Sequence, residues 1–267
     1  ADLIAAEDTR STQGLLSRFD VRKPMESYHR HNIRQKGERI LEVLRSGRSV
    51  ALVSDAGTPV ISDPGADLVR LCADAGIPVA VVPGPCAAVA GLIGSGLDTA
   101  RFVFEGFLPV ERKERREALA RTAGEKRTVI LYEAPHRLSR TLADLAAAGL
   151  GERRISAGRE LTKMHEEFIR TTVDGLAARY ADLSPRGEYV LVLEGLAAYT
   201  ARVQPDDPES GADPGRDASA RSLAASLLAQ GKPVREVAQT VSRETGMPRR
   251  DAYSLALEIR DSGPEAN

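Results

Sequence analysis

The sequence predicts an α/β protein of two lobes with a small C-terminal helical module. Three observations carry that expectation. The first is residues 50–65, VALVSDAGTPVISDPG, where a short apolar run enters a loop crowded with Gly, Pro, Asp and Ser before periodicity resumes at Ala66. That is strand, long loop, helix. The second is a repeat of the unit at residues 78–95, where PVAVV meets Pro83-Gly84-Pro85-Cys86 and then a helix of small residues. The third is a pair of breaks: FVFEGFL opens a new set of strands after residue 97, and a Pro-, Gly- and acid-rich stretch precedes three helical segments parted by Gly231 and Gly246. The expected divisions are an N-terminal α/β lobe at 1–97, a second α/β lobe at 98–197, a linker at 198–218 and a tri-helical tail at 219–262.

At 267 residues the chain allows one large domain or two to three small ones. With 42% hydrophobic and 28% charged residues it reads as a soluble globular protein. No apolar run approaches the ~20 residues of a membrane span, and no leader pattern opens the chain. The opening ADLIAAEDTR already reads as a buried strand, so a segment ahead of Ala1 is expected. Two cysteines, Cys72 and Cys86, without a CxxC motif point to a reducing, cytoplasmic setting and no zinc site. The net charge of −1 gives no bulk attraction to nucleic acid, so any such contact must come from local patches. Neither Gly/Pro loop matches GxGxxG or GxxxxGK[ST], which argues against a Rossmann dinucleotide site and a P-loop.

Taken in order, residues 2–6 form a strand ending in Glu7-Asp8-Thr9-Arg10, a polar cluster that serves a ligand edge or caps the helix expected at 13–19. Tyr28-His29-Arg30-His31-Asn32 follows a short strand and, with Arg34, Lys36 and Arg39, makes a basic region that is a solvated or RNA-facing patch; its two His lack the further ligands a metal needs. Residues 33–46 are an amphipathic helix ended by Gly47. Then come strand 50–53, its long loop and helix 66–75, strand 78–82 with the PGP loop, and helix 87–95. In open α/β sheets ligands sit beyond the carboxyl ends of strands, and two Gly/Pro loops ending consecutive strands make one shared site. Small side chains at the start of helix 87–95 leave its N–H groups approachable.

In the second lobe, strand 102–108 leads to a charged helix at 111–127, read as a solvated face or a phosphate contact. Strand 128–131 exits into Tyr132-Glu133-Ala134-Pro135-His136-Arg137 ahead of helix 138–148, and Glu133 either binds a ligand or caps that helix. Strands at 155–161 and 188–194 close the lobe. The tail segments 219–230, 234–244 and 249–261 have a helix-turn-helix flavour, compatible with nucleic-acid reading or with packing.

Six motifs then occur in one order: VSDAGTPVISDPG, PGPCAA, EGFLP, LYEAPHR, GRELTKMHEE and GEYVLVLEG, preceded by AEDTRST. Together they resemble the tetrapyrrole methylase-like superfamily, and more narrowly its ribosomal RNA small-subunit methyltransferase branch, over nearly the whole chain. The resemblance implies a two-lobed tetrapyrrole methylase-like fold with S-adenosylmethionine in the cleft, a homodimer, and 2′-O-methylation of a cytidine ribose in the decoding region of small-subunit (16S) ribosomal RNA, free or in the assembled subunit. It implies that Asp55, Ala56, Gly57, Thr58, Val60 and Ile61 line the cofactor from the first lobe. Cys86 and Ala87 meet it from the PGP loop, and Tyr132, Gly187, Glu188 and Val190 from the second lobe. The family begins with a further strand and a Thr-Pro-Ile-Gly-Asn-type loop that have no counterpart in this sequence.

Methyl transfer to a ribose hydroxyl is helped by a general base. Asp8 and Glu133 are the expected candidates for that base, with Asp55 next; Arg10, Arg30 and Arg137 are the expected RNA contacts. No metal is expected. The alternatives are a methyltransferase acting on a tetrapyrrole, another small molecule or a protein side chain, a non-catalytic RNA-binding relative, and an α/β protein with another nucleotide ligand.

Overall fold

The structure, a computed structural model, describes residues 1–29, 32–203 and 214–262. Residues Ala1–Tyr199 form one compact unit that holds two sheets, and Thr200–Asn267 form a second. The first sheet is small and wholly parallel: β1 (Leu3–Ala6) lies between β2 (Met25–Ser27) and β3 (Val50–Val53). Helices α1 (Thr9–Arg18) and α2 (Ile33–Arg45) supply the crossovers that parallel strands require. α2 and α3 (Ala66–Asp74) bury Ile40, Leu68 and Cys72 with Leu3, Ala5 and Tyr28. Helix α1 begins four residues before the expected start, because Asp8 caps it.

Residues 78–82 are not a strand. They form no ladder with any described strand, and Val81 and Val82 stand 77% and 85% exposed. Val and Pro-Val-Ala-Val-Val give the run its β-propensity, but propensity needs a paired, half-buried surface to be realised. Helix α4 (Ala87–Ser95) follows with the expected bounds.

The second sheet is mixed, in the order β4-β5-β8-β6-β7. Its strands are β4 (Phe102–Phe107), β5 (Thr128–Glu133), β6 (Arg154–Arg159), β7 (Glu167–Thr172) and β8 (Tyr189–Leu193). β4 and β5 are parallel, whereas β8 is antiparallel to β5 and β6, and β7 to β6. The near-continuous apolar runs TVILYE and YVLVL occupy neighbouring places because both faces are covered. Val129, Leu131, Leu191 and Leu193 face a core completed by α5 (Arg112–Gly124), α6 (Pro135–Leu145) and α7 (Val173–Arg179). The alternate residues Ile130, Val190 and Val192 face the other way, onto Ala88 and Leu92 of α4.

α4 therefore packs on the second sheet, and it does so closely. A Cβ on Gly91 would lie 2.5 Å from Val190 Cγ1, and one on Gly94 would lie 2.1 Å from Phe168 Cζ. Arg170 donates from Nε to the Gly94 and Ser95 carbonyls at 3.1 and 3.2 Å, placing a cation at the helix C-terminus, where the dipole favours it.

In the second unit α9 (Pro214–Ala229), α10 (Val234–Thr245) and α11 (Arg249–Ser262) bury Ala220, Ala224, Val237, Val241, Ala252 and Ala256 together. The expected linker is shorter than its composition suggested: α8 (Leu196–Val203) covers its start and α9 its end, while residues 204–213 lie outside the described residues. Among the described residues no helix is long and apolar enough to cross a membrane.

Because the Phe168 ring fills the space a methyl would need, Gly94→Ala is expected to lower stability by about 1–3 kcal/mol, the usual range for overpacking. Urea unfolding followed by circular dichroism measures this.

Candidate cofactor and acceptor site

Parallel β1 and β3 end side by side, so their following loops leave the same sheet edge. There the Asp55 N–H donates to Glu7 Oε2 at 3.4 Å. The loop 54–65 crosses to the PGP loop, where Thr58 Oγ1 donates to the Pro85 carbonyl at 2.8 Å. A Cβ on Gly57 would rest 3.6 Å from that same carbonyl oxygen, and Gly57 has φ +71°. Val60 and Ser62 hold φ of +78° and +67°. For a β-branched residue this is an outlier, and each such position stores about 1–3 kcal/mol that the surrounding contacts must hold.

From the PGP loop the contacts pass to the second sheet. Cys86 is the N-cap of α4 and Ala87 its first residue. The Ala88 N–H donates to the Tyr132 hydroxyl at 2.9 Å. Burial pushes the Tyr132 phenol up to about 12, so it stays protonated at neutral pH. The Tyr132 ring meets Phe104 and Phe107 edge-on, with centroids 4.9 and 5.7 Å away. Beside them a cleft of about 350 Å3 is lined by Ser62, Phe104, Glu105, Gly106 and Phe107. One chain of contacts thus joins the ends of β1, β3, β4 and β5 and the start of α4. Asp55, Ala56, Gly57, Thr58, Val60, Cys86, Ala87 and Tyr132 lie along it, with Ile61 42% exposed at its edge.

Asp8 and Arg10 are committed to each other. Asp8 Oδ1 accepts the Arg10 N–H at 2.8 Å, and Oδ2 accepts Arg10 NH2 at 2.9 Å. The Arg10 side chain holds the Asp8 carboxyl down to about 2. A carboxylate so stabilised is a poor proton acceptor near neutral pH.

Glu133 and Arg137 take other places than the sequence suggested. β5 runs two residues further than expected, so Glu133 shares the face of Val129 and Leu131 and points at α6. It is 2% exposed. Its oxygens accept from Thr141 Oγ1 at 2.5 Å and the Ala134 N–H at 2.9 Å, and Arg137 Nε lies 3.3 Å away. Thr141 Oγ1 also accepts from Arg115 NH2 at 2.8 Å, and Arg115 pairs with Asp144 at 2.7 Å. The Arg137 guanidinium also donates to the Leu108 carbonyl. This network lies on the helix-covered face of the second sheet, the opposite face from Tyr132. Arg115, expected on a solvated helix face, is 4% exposed within it.

Val190 is buried under Gly91 and belongs to the core. Gly187, at φ +80°, packs against the Glu160 side chain, while Glu188 pairs with Lys163 at 2.9 Å. Neither joins the contact chain described above. Arg30 lies outside the described residues. Among the described residues no group of three or more His, Cys, Asp or Glu is gathered for a metal ion. Sequence reasoning placed Glu7 in a polar cluster at a ligand edge but assigned no site role to Ser62, Phe104, Glu105 or Phe107. The segments carrying the last four, VSDAGTPVISDPG and FVFEGFL, were visible, but which side chains of β4 line the cleft depends on a register shift that no composition signals.

Comparison with known proteins agrees with this architecture. Residues 1–177 match the family model of Tetrapyrrole (Corrin/Porphyrin) Methylases. The chain is 45% identical to a protein of Synechocystis sp. named Ribosomal RNA small subunit methyltransferase I, over 98% of this chain and 90% of that one. A protein of the same name from Escherichia coli O157:H7 is 43% identical over 96% and 86%, and one from Bacillus subtilis 39% over 94% and 84%. Among solved structures, the methyltransferase CobJ aligns with a TM-score of 0.54 at 17% identity, covering 74% of this chain and 84% of that one. Diphthine synthase aligns at 0.53 and 15% identity, covering 72% and 79%. At such identities these structures show the fold alone.

Two outcomes follow from this geometry. Glu133→Ala takes the carboxylate from Arg137 and the acceptor from the buried Thr141 hydroxyl and is expected to cost about 1–3 kcal/mol, and Glu133→Gln less, since the amide oxygen still accepts from Thr141; denaturant midpoints decide it. Asp8, with its carboxyl lowered from 3.8 to about 2, contributes stability above 3.8 that is lost as the pH falls through about 2. An acid unfolding profile of Asp8→Asn should lack that contribution, and the wild-type Asp8 carboxyl should titrate near 2 by NMR.

Proposed function

We propose, on the premise that the chain belongs to the tetrapyrrole (corrin/porphyrin) methylase family and there with the ribosomal RNA small subunit methyltransferase I proteins, that it transfers a methyl group from S-adenosylmethionine to a cytidine 2′-hydroxyl in the decoding region of small-subunit ribosomal RNA. The observation that carries this reading is the 45% identity with a relative of that name across 98% of this chain. It favours an RNA acceptor over a tetrapyrrole, since the name of that relative specifies ribosomal RNA. The reading includes a homodimer acting in the cytoplasm, on the RNA or on the assembled subunit.

The residues present suit that cofactor. Ala56 and Gly57 keep the loop tip free of bulk, and the Cys86 and Ala87 N–H groups at the start of α4 are placed to receive a carboxylate. When bound, S-adenosylmethionine supplies a methyl group already activated on a sulfonium, so the protein's part is alignment and proton removal. Loop 54–65 and the PGP loop, tied by Thr58 and Pro85, hold the two walls in register. Only RNA carries the acceptor hydroxyl, which sets RNA apart from DNA. With Asp8 tied to Arg10 and Glu133 buried, Asp55, exposed at the loop tip beside Glu7, is the group that takes the hydroxyl proton. Arg10, 90% exposed at its side chain, remains available to an RNA phosphate through the face turned from Asp8.

Labelled S-adenosylmethionine and small ribosomal subunits lacking their native modifications test this. Label recovered as 2′-O-methylcytidine is the expected result, whereas label in no ribonucleoside would overturn the reading. Asp55→Asn should lower turnover by roughly 10²–10⁴-fold, the usual worth of a general base, well beyond any loss of cofactor affinity measured by calorimetry.

A further inference from the structure

The cleft beside Tyr132 has a wall built by an irregularity. β4 and β5 pair in parallel through Phe104 opposite Ile130 and Gly106 opposite Leu131, which leaves Glu105 as an extra residue without a partner. Gly106 makes this possible by adopting φ +65°. Bulges are rare in parallel pairs, and where they occur they re-aim a side chain and gather near functional sites. Here the re-aimed stretch is Phe104 to Phe107, four of the five residues lining the cleft.

The chemistry of that lining is specific. Glu105 is three-quarters buried, with 27% of its side chain exposed, and its one ion pair among the described residues is a long 3.8 Å approach from Arg121 to Oε2. A half-desolvated carboxylate with an oxygen to spare seeks an N–H donor. Phe107 is 45% exposed at the same cleft, with an aromatic face held by Tyr132 behind it. A volume of about 350 Å3 is of the size that admits a nucleoside.

We propose that this cleft is the subsite for the base of the acceptor nucleotide, in which Phe107 provides the stacking surface and Glu105 accepts a hydrogen bond from an exocyclic amine. A carboxylate is the natural acceptor for the cytosine N4 amine and finds no such donor on uracil. An unstacked RNA base laid on an aromatic ring is the common mode of single-strand recognition. The bulge thus selects the base, while the loops beyond Tyr132 hold the cofactor. The inference rests on the RNA methyltransferase reading and adds to it the residues that choose the nucleotide.

The test uses small subunits reconstituted with the acceptor cytidine or with uridine in its place. Wild type should favour cytidine by roughly 10-fold or more, the scale of one good base contact. Glu105→Ala should reduce transfer to cytidine by that factor, leave the uridine rate and the S-adenosylmethionine affinity unchanged, and so abolish the preference. Phe107→Ala should raise the KM for both substrates by roughly 10-fold, as loss of stacking does, with cofactor affinity again unchanged. A cytidine preference that survives Glu105→Ala, in protein that binds the cofactor normally, overturns the base-subsite assignment while leaving the methyltransferase reading intact. Should Glu105→Ala fail to fold, an unchanged KM in Phe107→Ala overturns it equally. Absence of any transfer by wild type overturns the reading beneath it and the proposal together.

Discussion

The close approach of helix α4 to the second sheet is the constraint on which the site depends. Two glycines on its inner face remove the side chains that would hold it off, and Val190 and Phe168 occupy the space they leave. The helix follows directly from the PGP loop, so its seat fixes where that loop meets loop 54–65 on one side and Tyr132 on the other. An element that reads in sequence as part of the first lobe thereby contributes its buried face to the core of the second. Arg170 secures the far end through backbone carbonyls, independently of which side chains the helix carries.

Behind the site lies a second constraint of different character. Glu133, Thr141, Arg137, Arg115 and Asp144 form a buried polar network that reaches the Leu108 and Pro109 carbonyls. Those carbonyls belong to the loop leaving β4, and Glu133 to the end of β5. Such a network costs desolvation and is worth little as net stability, but once every group is partnered it permits one geometry only. It supports the cleft from the helix side as α4 supports it from the other, so side chains that never meet a ligand decide where the ligand-facing ones stand.

Much of this was legible in the sequence, and the failures have particular causes. Buried strands such as YVLVL and TVIL declared themselves by composition, and helices by their Gly stops. Asp8 declared itself as a cap by type and place, and it caps α1 as that reading expected. The burial of Glu133 was not foreseen because strand β5 was ended at Leu131. Extending the alternation of Val129 and Leu131 by one step puts Glu133 on the helix-covered face and Tyr132 on the α4 face, as observed. Residues 78–82 failed for the opposite reason: their β-propensity is real, but pairing is a property of the neighbours and not of the segment. The bulge at Glu105 was invisible because a register shift leaves no mark in composition beyond a glycine.

The charge arrangement that results bears on which ligands the site suits. Of the carboxylates near it, Glu7 and Asp55 meet through a backbone hydrogen bond, Asp8 is ionised down to about 2, and Asp63 is near enough to act on the Tyr132 phenol. Arg10, the nearest described cation on β1's loop, is tied to Asp8. The start of α4, which could otherwise offer a fan of N–H donors to a phosphate, gives one of them to Tyr132. A nucleoside di- or triphosphate would bring several negative charges against these carboxylates with little to oppose the repulsion. A cofactor bearing a sulfonium and a single carboxylate brings one cationic centre and one negative charge, and so meets far less of this repulsion. The absence of a phosphate-binding glycine pattern and the acidity of the loops are then two expressions of one requirement, and that requirement supports a methyl donor over a nucleotide polyphosphate. The same field acts on the substrate. It opposes phosphate groups wherever these carboxylate-bearing loops are exposed.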